Sequence, residues 1–160
     1  MYYGALEAGG TKMVCAIGDA DKNIIDRISI PTGTPDQSVP AMIDYFKKYD
    51  ISALGIGTFG PADINPNSPT YGSIMRSPKK DWEGFSLYKA FTDALGCLVV
   101  VDTDVNAAAW GEYLYGALKG LNSGMYLTVG TGIGGGIISD GRLIHGMEHP
   151  ETGHILIPRR

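Results

Sequence analysis

The opening of the chain returns near its other end, and this doubling restricts the fold more than any other feature. Residues 6–8 lead through Gly9, Gly10, Thr11 and Lys12 into an apolar run at 13–18 that ends in an acidic turn. Residues 127–129 lead through Gly130, Thr131, Gly132 and Ile133 into Gly134 and a second apolar run, closed by Ser139, Asp140 and Gly141. Each passage reads as strand, glycine turn with a threonine, strand, and a further turn. Asp140 and Gly141 tolerate the positive φ that a two-residue hairpin turn demands. Two glycine hairpins of this kind can present backbone N–H groups to a phosphate chain, as nests of successive amides do. Either one alone is equally an ordinary β-turn, whereas the pair favours a two-lobed nucleotide site.

Between the hairpins the chain alternates strands and helices, which predicts an α/β fold. Strands are expected at 3–8, 12–17, 23–30 and 51–58. A helix is expected at 39–49, with Asp36 as its cap and Pro40 in its first turn. A loop rich in proline and asparagine covers 61–69, and a helix at 85–95 closes on Gly96. The continuous apolar run 98–101 reads as a strand buried on both faces, followed by an alanine-rich helix at 104–115. Residues 116–123 have the composition of a linker. The expected lobes are therefore 1–116, with the first hairpin and the loops after 58, and 117–160, with the second hairpin.

Composition narrows the function. The 44% hydrophobic and 19% charged content is that of a globular chain. A net charge of −4 excludes the basic surface that tracks nucleic-acid phosphates. No apolar run approaches the ~18 residues of a membrane span, and no basic-then-apolar leader opens the chain. Cys15 and Cys97 have neither metal nor redox spacing, which suits a reducing cytoplasm. The 23 glycines are about twice the usual ~7% share.

Specific segments resemble the ROK family of sugar kinases. Glu7, Ala8, Gly9, Gly10, Thr11 and Lys12 are similar to its first phosphate loop, and Gly130, Thr131, Gly132, Ile133 and Gly134 to its second. Neither has Walker spacing. Residues 55–63, with Gly60 and Pro61, resemble the strand end beside the sugar, and 102–107 the catalytic segment. Residues 146–154, with Glu151, Gly153 and His154, resemble the family's glycine, glutamate, glycine, histidine signature. The matches follow family order along the whole chain, and the opening and the stretch at 77–82 favour its fructokinase branch. The chain corresponds to roughly the first half of such an enzyme.

The resemblance implies an actin-like, ribonuclease-H-like ATPase fold, with the first lobe and the opening hairpin of the second. It implies ATP-dependent phosphorylation of a hexose hydroxyl, D-fructose to fructose 6-phosphate, with ATP and Mg2+ as cofactors and structural Zn2+ in the intact enzyme. The expected partners are a small-molecule sugar and ATP, within a cytoplasmic homodimer, without nucleic acid or membrane. Glucose and N-acetylmannosamine are the alternative sugars. A sugar-responsive regulator is a second alternative, although regulators of the family carry a DNA-binding segment ahead of the first loop. A nuclease using Glu7, Asp63 and Asp104 around two metal ions is a third.

Roles follow residue by residue. Asp104 comes just after a strand, where open α/β sheets place ligands, and is the candidate base that accepts the sugar hydroxyl proton. A helix N-terminus would keep it ionised, though a plain helix cap is the other reading of the same position. Thr103 stands where the family usually has a sugar-binding asparagine, which counts against glucose. Gly60, Thr103 and Glu151 are expected to bind sugar, and Gly9, Gly10, Thr11, Lys12, Gly130, Thr131, Gly132 and Gly134 to bind the nucleotide. His154 is implied as one zinc ligand, its fellow ligands lying past Arg160. His145, His149 and His154, spaced around Pro150, do not fall on one helix face as a self-contained metal trio.

Overall fold

The computed structural model describes residues 1–130, 132–146, 151–156 and 158. They form two compact units, Met1–Asp104 and Val105–Arg160.

In the first unit, β1 (Tyr2–Ala8), β2 (Lys12–Asp19), β3 (Ile24–Pro31), β4 (Ile51–Thr58) and β5 (Leu98–Thr103) make one sheet in the order β3-β2-β1-β4-β5. The first three strands form an antiparallel meander, while β4 and β5 run parallel to β1. Helices α1 (Pro35–Phe46) and α2 (Leu87–Leu95) pack against β2 and β5 and against each other. Their meeting point is an edge-to-face pair, Phe46 and Phe91, with ring centroids 6.0 Å apart. Met13, Ile17, Met42 and Leu54 are fully buried around it, each worth about 1.5–3 kcal/mol of transfer free energy.

Three expectations are corrected. The first helix begins at Pro35 rather than 39 and ends at Phe46 rather than 49. Thr34 is its N-cap, with the Gln37 side chain accepting from the Thr34 N–H at 3.2 Å. Proline at the first helical position has no orphan N–H to satisfy. Asp36 is then a first-turn acid, favourable to the dipole, and Pro40 lies inside the helix on its exposed side. The second correction concerns β5. It ends the sheet order, with Val99 and Val101 buried but Leu98 67% and Val100 53% exposed. An apolar run therefore marks a strand here without marking burial on both faces. The second helix starts at Leu87 rather than 85, where Ser86 Oγ accepts from the Lys89 N–H at 3.1 Å, and ends as expected, with Gly96 closing it at φ 64°.

In the second unit, β6 (Gly124–Val129), β7 (Ile133–Ser139) and β8 (Arg142–Leu143) form an antiparallel sheet. Asp140 and Gly141 turn β7 into β8 with φ of 49° and 72°, as the hairpin signal predicts. From Val105 onward, α3 (Asp104–Tyr115) packs on β7. A Cβ at Gly134 would lie 2.9 Å from Val105 Cγ1, and one at Gly136 would lie 2.8 Å from Ala109 Cβ and overlap the Val105 carbonyl oxygen. The glycines of β7 thus allow the helix to touch the strand backbone. The doubled opening survives in three dimensions: β1-β2-β3 and β6-β7-β8 are both meanders entered through a glycine hairpin.

Candidate active site

The strand register gathers the site of the first unit. Ala8 pairs with Thr58, and Thr58 with Thr103, so the parallel strands β1, β4 and β5 end level with one another. Gly9, Gly60 and Asp104 follow within two residues of those ends. With strands ~4.8 Å apart, the span from β1 to β5 is about 10 Å.

The first hairpin closes when the Gly9 N–H donates to the Lys12 carbonyl at 3.0 Å. A Cβ at Gly9 would sit 2.6 Å from that oxygen, so the turn itself demands glycine there. Thr32, just past β3, holds the tip twice. Its hydroxyl donates to the Gly9 carbonyl at 2.7 Å, and its N–H to the Thr11 carbonyl at 3.0 Å. A trans peptide points its C=O and N–H in opposite directions, so the N–H groups of Gly10 and Lys12 aim away from Thr32. Gly10, Thr11 and Lys12 are exposed. Among the described residues beyond its chain neighbours, Lys79 Cε, at 3.8 Å, is the atom near a Cβ built on Gly10.

After β4 the chain passes the cis peptide Gly60-Pro61 into a loop organised by Asp63. Its carboxylate accepts from Ser68 Oγ, from Thr70 Oγ1 at 2.6 Å and from the Asn65 N–H at 3.1 Å. Burial pushes this carboxyl up, but the three hydrogen bonds outweigh it and hold Asp63 below the usual aspartate range. The loop is fastened to the edge of the sheet by Tyr71, whose hydroxyl donates to the Val101 carbonyl at 3.0 Å and accepts from the Val101 N–H at 2.7 Å. At the end of β5, Thr103 lies on the buried face, 2% exposed, and offers little surface to a sugar. Asp104 is half-buried and opens α3.

In the second unit, the Gly130 N–H donates to the Gly132 carbonyl at 2.9 Å, repeating the closure of the first hairpin with one residue fewer. Among the described residues beyond the chain neighbours, no atom lies within 4 Å of a Cβ built on either glycine. Gly134 instead faces Val105. Thr131 and His149 lie outside the described residues. Gly153 packs on the Ile133 carbonyl, and Thr152 Oγ1 donates to the Gly135 carbonyl at 3.2 Å, seating the short helix Thr152–His154 on β7. Glu151 Oε2 and His154 Nδ1 pair at 3.1 Å, both side chains exposed.

The ROK family profile matches residues 3–160. The chain belongs to the ROK family. It is 46% identical over 159 residues to a fructokinase of Lactococcus lactis subsp. cremoris, covering 99% of this chain and 54% of that protein. A fructokinase of Pediococcus pentosaceus is 43% identical over 159 residues, covering 99% of this chain and 55% of that one. Among solved structures, a ROK family glucokinase from Streptomyces griseus, in complex with glucose and AMPPNP, superposes with a TM-score of 0.83 at 32% identity, over 99% of this chain and 51% of its own. The chain spans about half the length of the curated relatives it matches. The fold is that of the actin-like, ribonuclease-H-like ATPases.

Two cofactors can be set against this ROK chain's own residues. Gly10 in the first unit and Gly130 and Gly132 in the second each leave open backbone of the kind that a phosphate group can approach. Structural zinc takes four ligands; of the expected set only His154 lies in this chain, its Nδ1 paired with Glu151, and among the described residues no three His, Cys, Asp or Glu side chains cluster for a metal. Burial pushes the Cys15 thiol up to about 12 and raises that of Cys97 as well. Thr32 and Tyr71 are functional candidates that no local pattern announces, since each bonds across the fold to another segment's backbone.

Proposed function

We propose that the intact protein is an ATP-dependent hexose kinase that converts D-fructose to fructose 6-phosphate. The level ends of β1, β4 and β5 carry this reading, because they bring a phosphate-sized glycine hairpin and the Asp104 carboxylate to one edge of one sheet. A sugar hydroxyl held beside Asp104 gives its proton to the carboxylate as its oxygen bonds to the γ-phosphorus, and the bond from that phosphorus to ADP breaks. The hairpin amides hold the phosphates in line, and such positioning supplies much of the catalysis in phosphoryl transfer. Mg2+ bound with the nucleotide neutralises charge on the phosphate oxygens.

The choice of fructose is supported by the names of the relatives, and Thr103, being buried, adds little to it. Asp63, engaged by three local hydrogen bonds, serves its loop, which disfavours the nuclease alternative. A homodimer in the cytoplasm follows from the family resemblance. No helix among the described residues is long and apolar enough to cross a membrane.

The test is ADP formation by the intact enzyme with fructose, glucose, mannose and N-acetylmannosamine. Fructose should have the highest kcat/KM, and Asp104→Asn should lower kcat at least ~100-fold, the lower end for loss of a general base. A preference for glucose would refute the sugar assignment, near-normal turnover of the variant would refute the base, and ADP formation independent of any sugar would refute the kinase.

A further inference from the structure

We propose that Lys79 is the cation of the phosphate cradle, its ammonium binding the ATP phosphate oxygens that the hairpin at 9–12 holds through its amides. The proposal rests on the kinase reading above and adds to it a residue that arrives from another part of the chain.

Position is the first argument. Lys79 Cε lies 3.8 Å from the place of a Cβ on Gly10, so the end of the side chain reaches the open glycine face, with the ammonium one bond further on. The second argument is that its backbone is fixed. The Lys79 N–H donates to Ser77 Oγ at 3.0 Å, Ser77 being buried, and the Lys79 carbonyl accepts from the Trp82 N–H at 2.9 Å. Trp82 is 1% exposed and packs edge-on against Phe59 and Phe85. Its indole N–H donates to the Gly33 carbonyl at 2.9 Å. Gly33 follows Thr32, the residue that holds the hairpin tip. One chain of hydrogen bonds therefore ties the lysine backbone and the hairpin to the same point past β3.

Charge is the third argument. Lys79 is half-buried, and among the described residues no carboxylate pairs with its ammonium. Lys89, by contrast, has Asp93 at 2.7 Å. A half-buried lysine without a carboxylate partner among the described residues, its end against open glycine backbone, is a site for an anion. Lysine is well suited to such a role, acting on phosphate as a compact point charge.

Lys79→Met keeps the stem and removes the charge, and Lys79→Arg keeps a charge. Calorimetry on the intact enzyme with AMPPNP should show Lys79→Met binding about tenfold to a hundredfold more weakly, the range for one lost charge-assisted hydrogen bond. Lys79→Arg should recover most of that loss, and the KM for fructose should change less than threefold. Unchanged AMPPNP affinity in Lys79→Met, in an enzyme whose wild type phosphorylates sugar, would overturn the lysine while leaving the kinase standing. Weakened fructose 6-phosphate binding with intact AMPPNP binding would overturn the assignment to ATP. A wild type without sugar-dependent ADP formation would overturn the kinase reading, and this proposal with it.

Discussion

Gly136→Ala inserts a methyl group between β7 and α3 where no space exists for it. The new carbon would stand 2.8 Å from Ala109 Cβ and overlap the Val105 carbonyl oxygen. Carbon atoms rest at about 3.5–4.0 Å, so the helix must back away by roughly 1 Å along its first turns. Neither obstacle rotates aside, since one is backbone and the other a methyl fixed to the helix. The cost falls near the top of the ~1–3 kcal/mol for overpacking. Against this, alanine in a strand gains about 0.5–1 kcal/mol over glycine. The net expectation is a loss of about 2 kcal/mol. Gly111→Ala provides the control, because it lies in the same helix with no atom within 4 Å of its Cβ and should stabilise by up to ~1 kcal/mol. Urea denaturation of the intact enzyme, compared at equal slope, measures both. A Gly136→Ala variant as stable as wild type would refute the packing role assigned to the β7 glycines.

Thr32→Val deletes the hydroxyl bond to the Gly9 carbonyl while keeping the amide bond to Thr11. The KM for ATP should rise about fivefold to tenfold, near the net worth of one hydrogen bond, with the KM for fructose unchanged and Thr32→Ser restoring the wild-type value. Equal changes in both constants would show general damage instead. Asp63 is held below its unfolded value of about 3.9, so its contribution to stability is present above that pH and is lost as pH falls through the lower folded value. The stability difference between wild type and Asp63→Asn should therefore shrink below about pH 4, and a difference independent of pH between 7 and 3 would contradict the loop's dependence on the carboxylate.

Much of this architecture is legible in the sequence because it is local. Both glycine hairpins, the turn at Asp140 and Gly141, and the Gly96 cap depend on residues a few positions apart. The rest is harder to read where local signals compete or tertiary context decides. Asp36 and Thr34 are both good caps, and Pro35 settles the start in favour of the earlier one. The run at 98–101 is apolar whether its outer face is covered or exposed. Gly132 and Gly134 look alike as letters, yet one has open space and the other meets Val105. Thr103 invites comparison with a sugar-binding asparagine, but strand alternation turns it to the buried face. Thr32 reaches Gly9 across 23 positions and Trp82 reaches Gly33 across 49. Bonds of that range between a side chain and a distant backbone leave no periodicity to read.

The meander and its fastenings also set an order of assembly. A nascent chain emerges with its amino terminus first, and β1, β2 and β3 pair with sequence neighbours through short turns, contacts that form on the ~1–10 μs scale of hairpins. Thr32 is made directly after β3, so the tip of the first hairpin can be gripped before β4 exists. Parallel pairing of β4 and then β5 requires long crossovers and closes larger loops. Asp104 takes its place only after both have docked. The indole of Trp82 cannot reach Gly33 until the loop before α2 has been translated and folded back. The cradle is thus shaped early by short-range contacts, and the lysine-bearing segment that we assign to its charge is latched on afterwards by a single tryptophan.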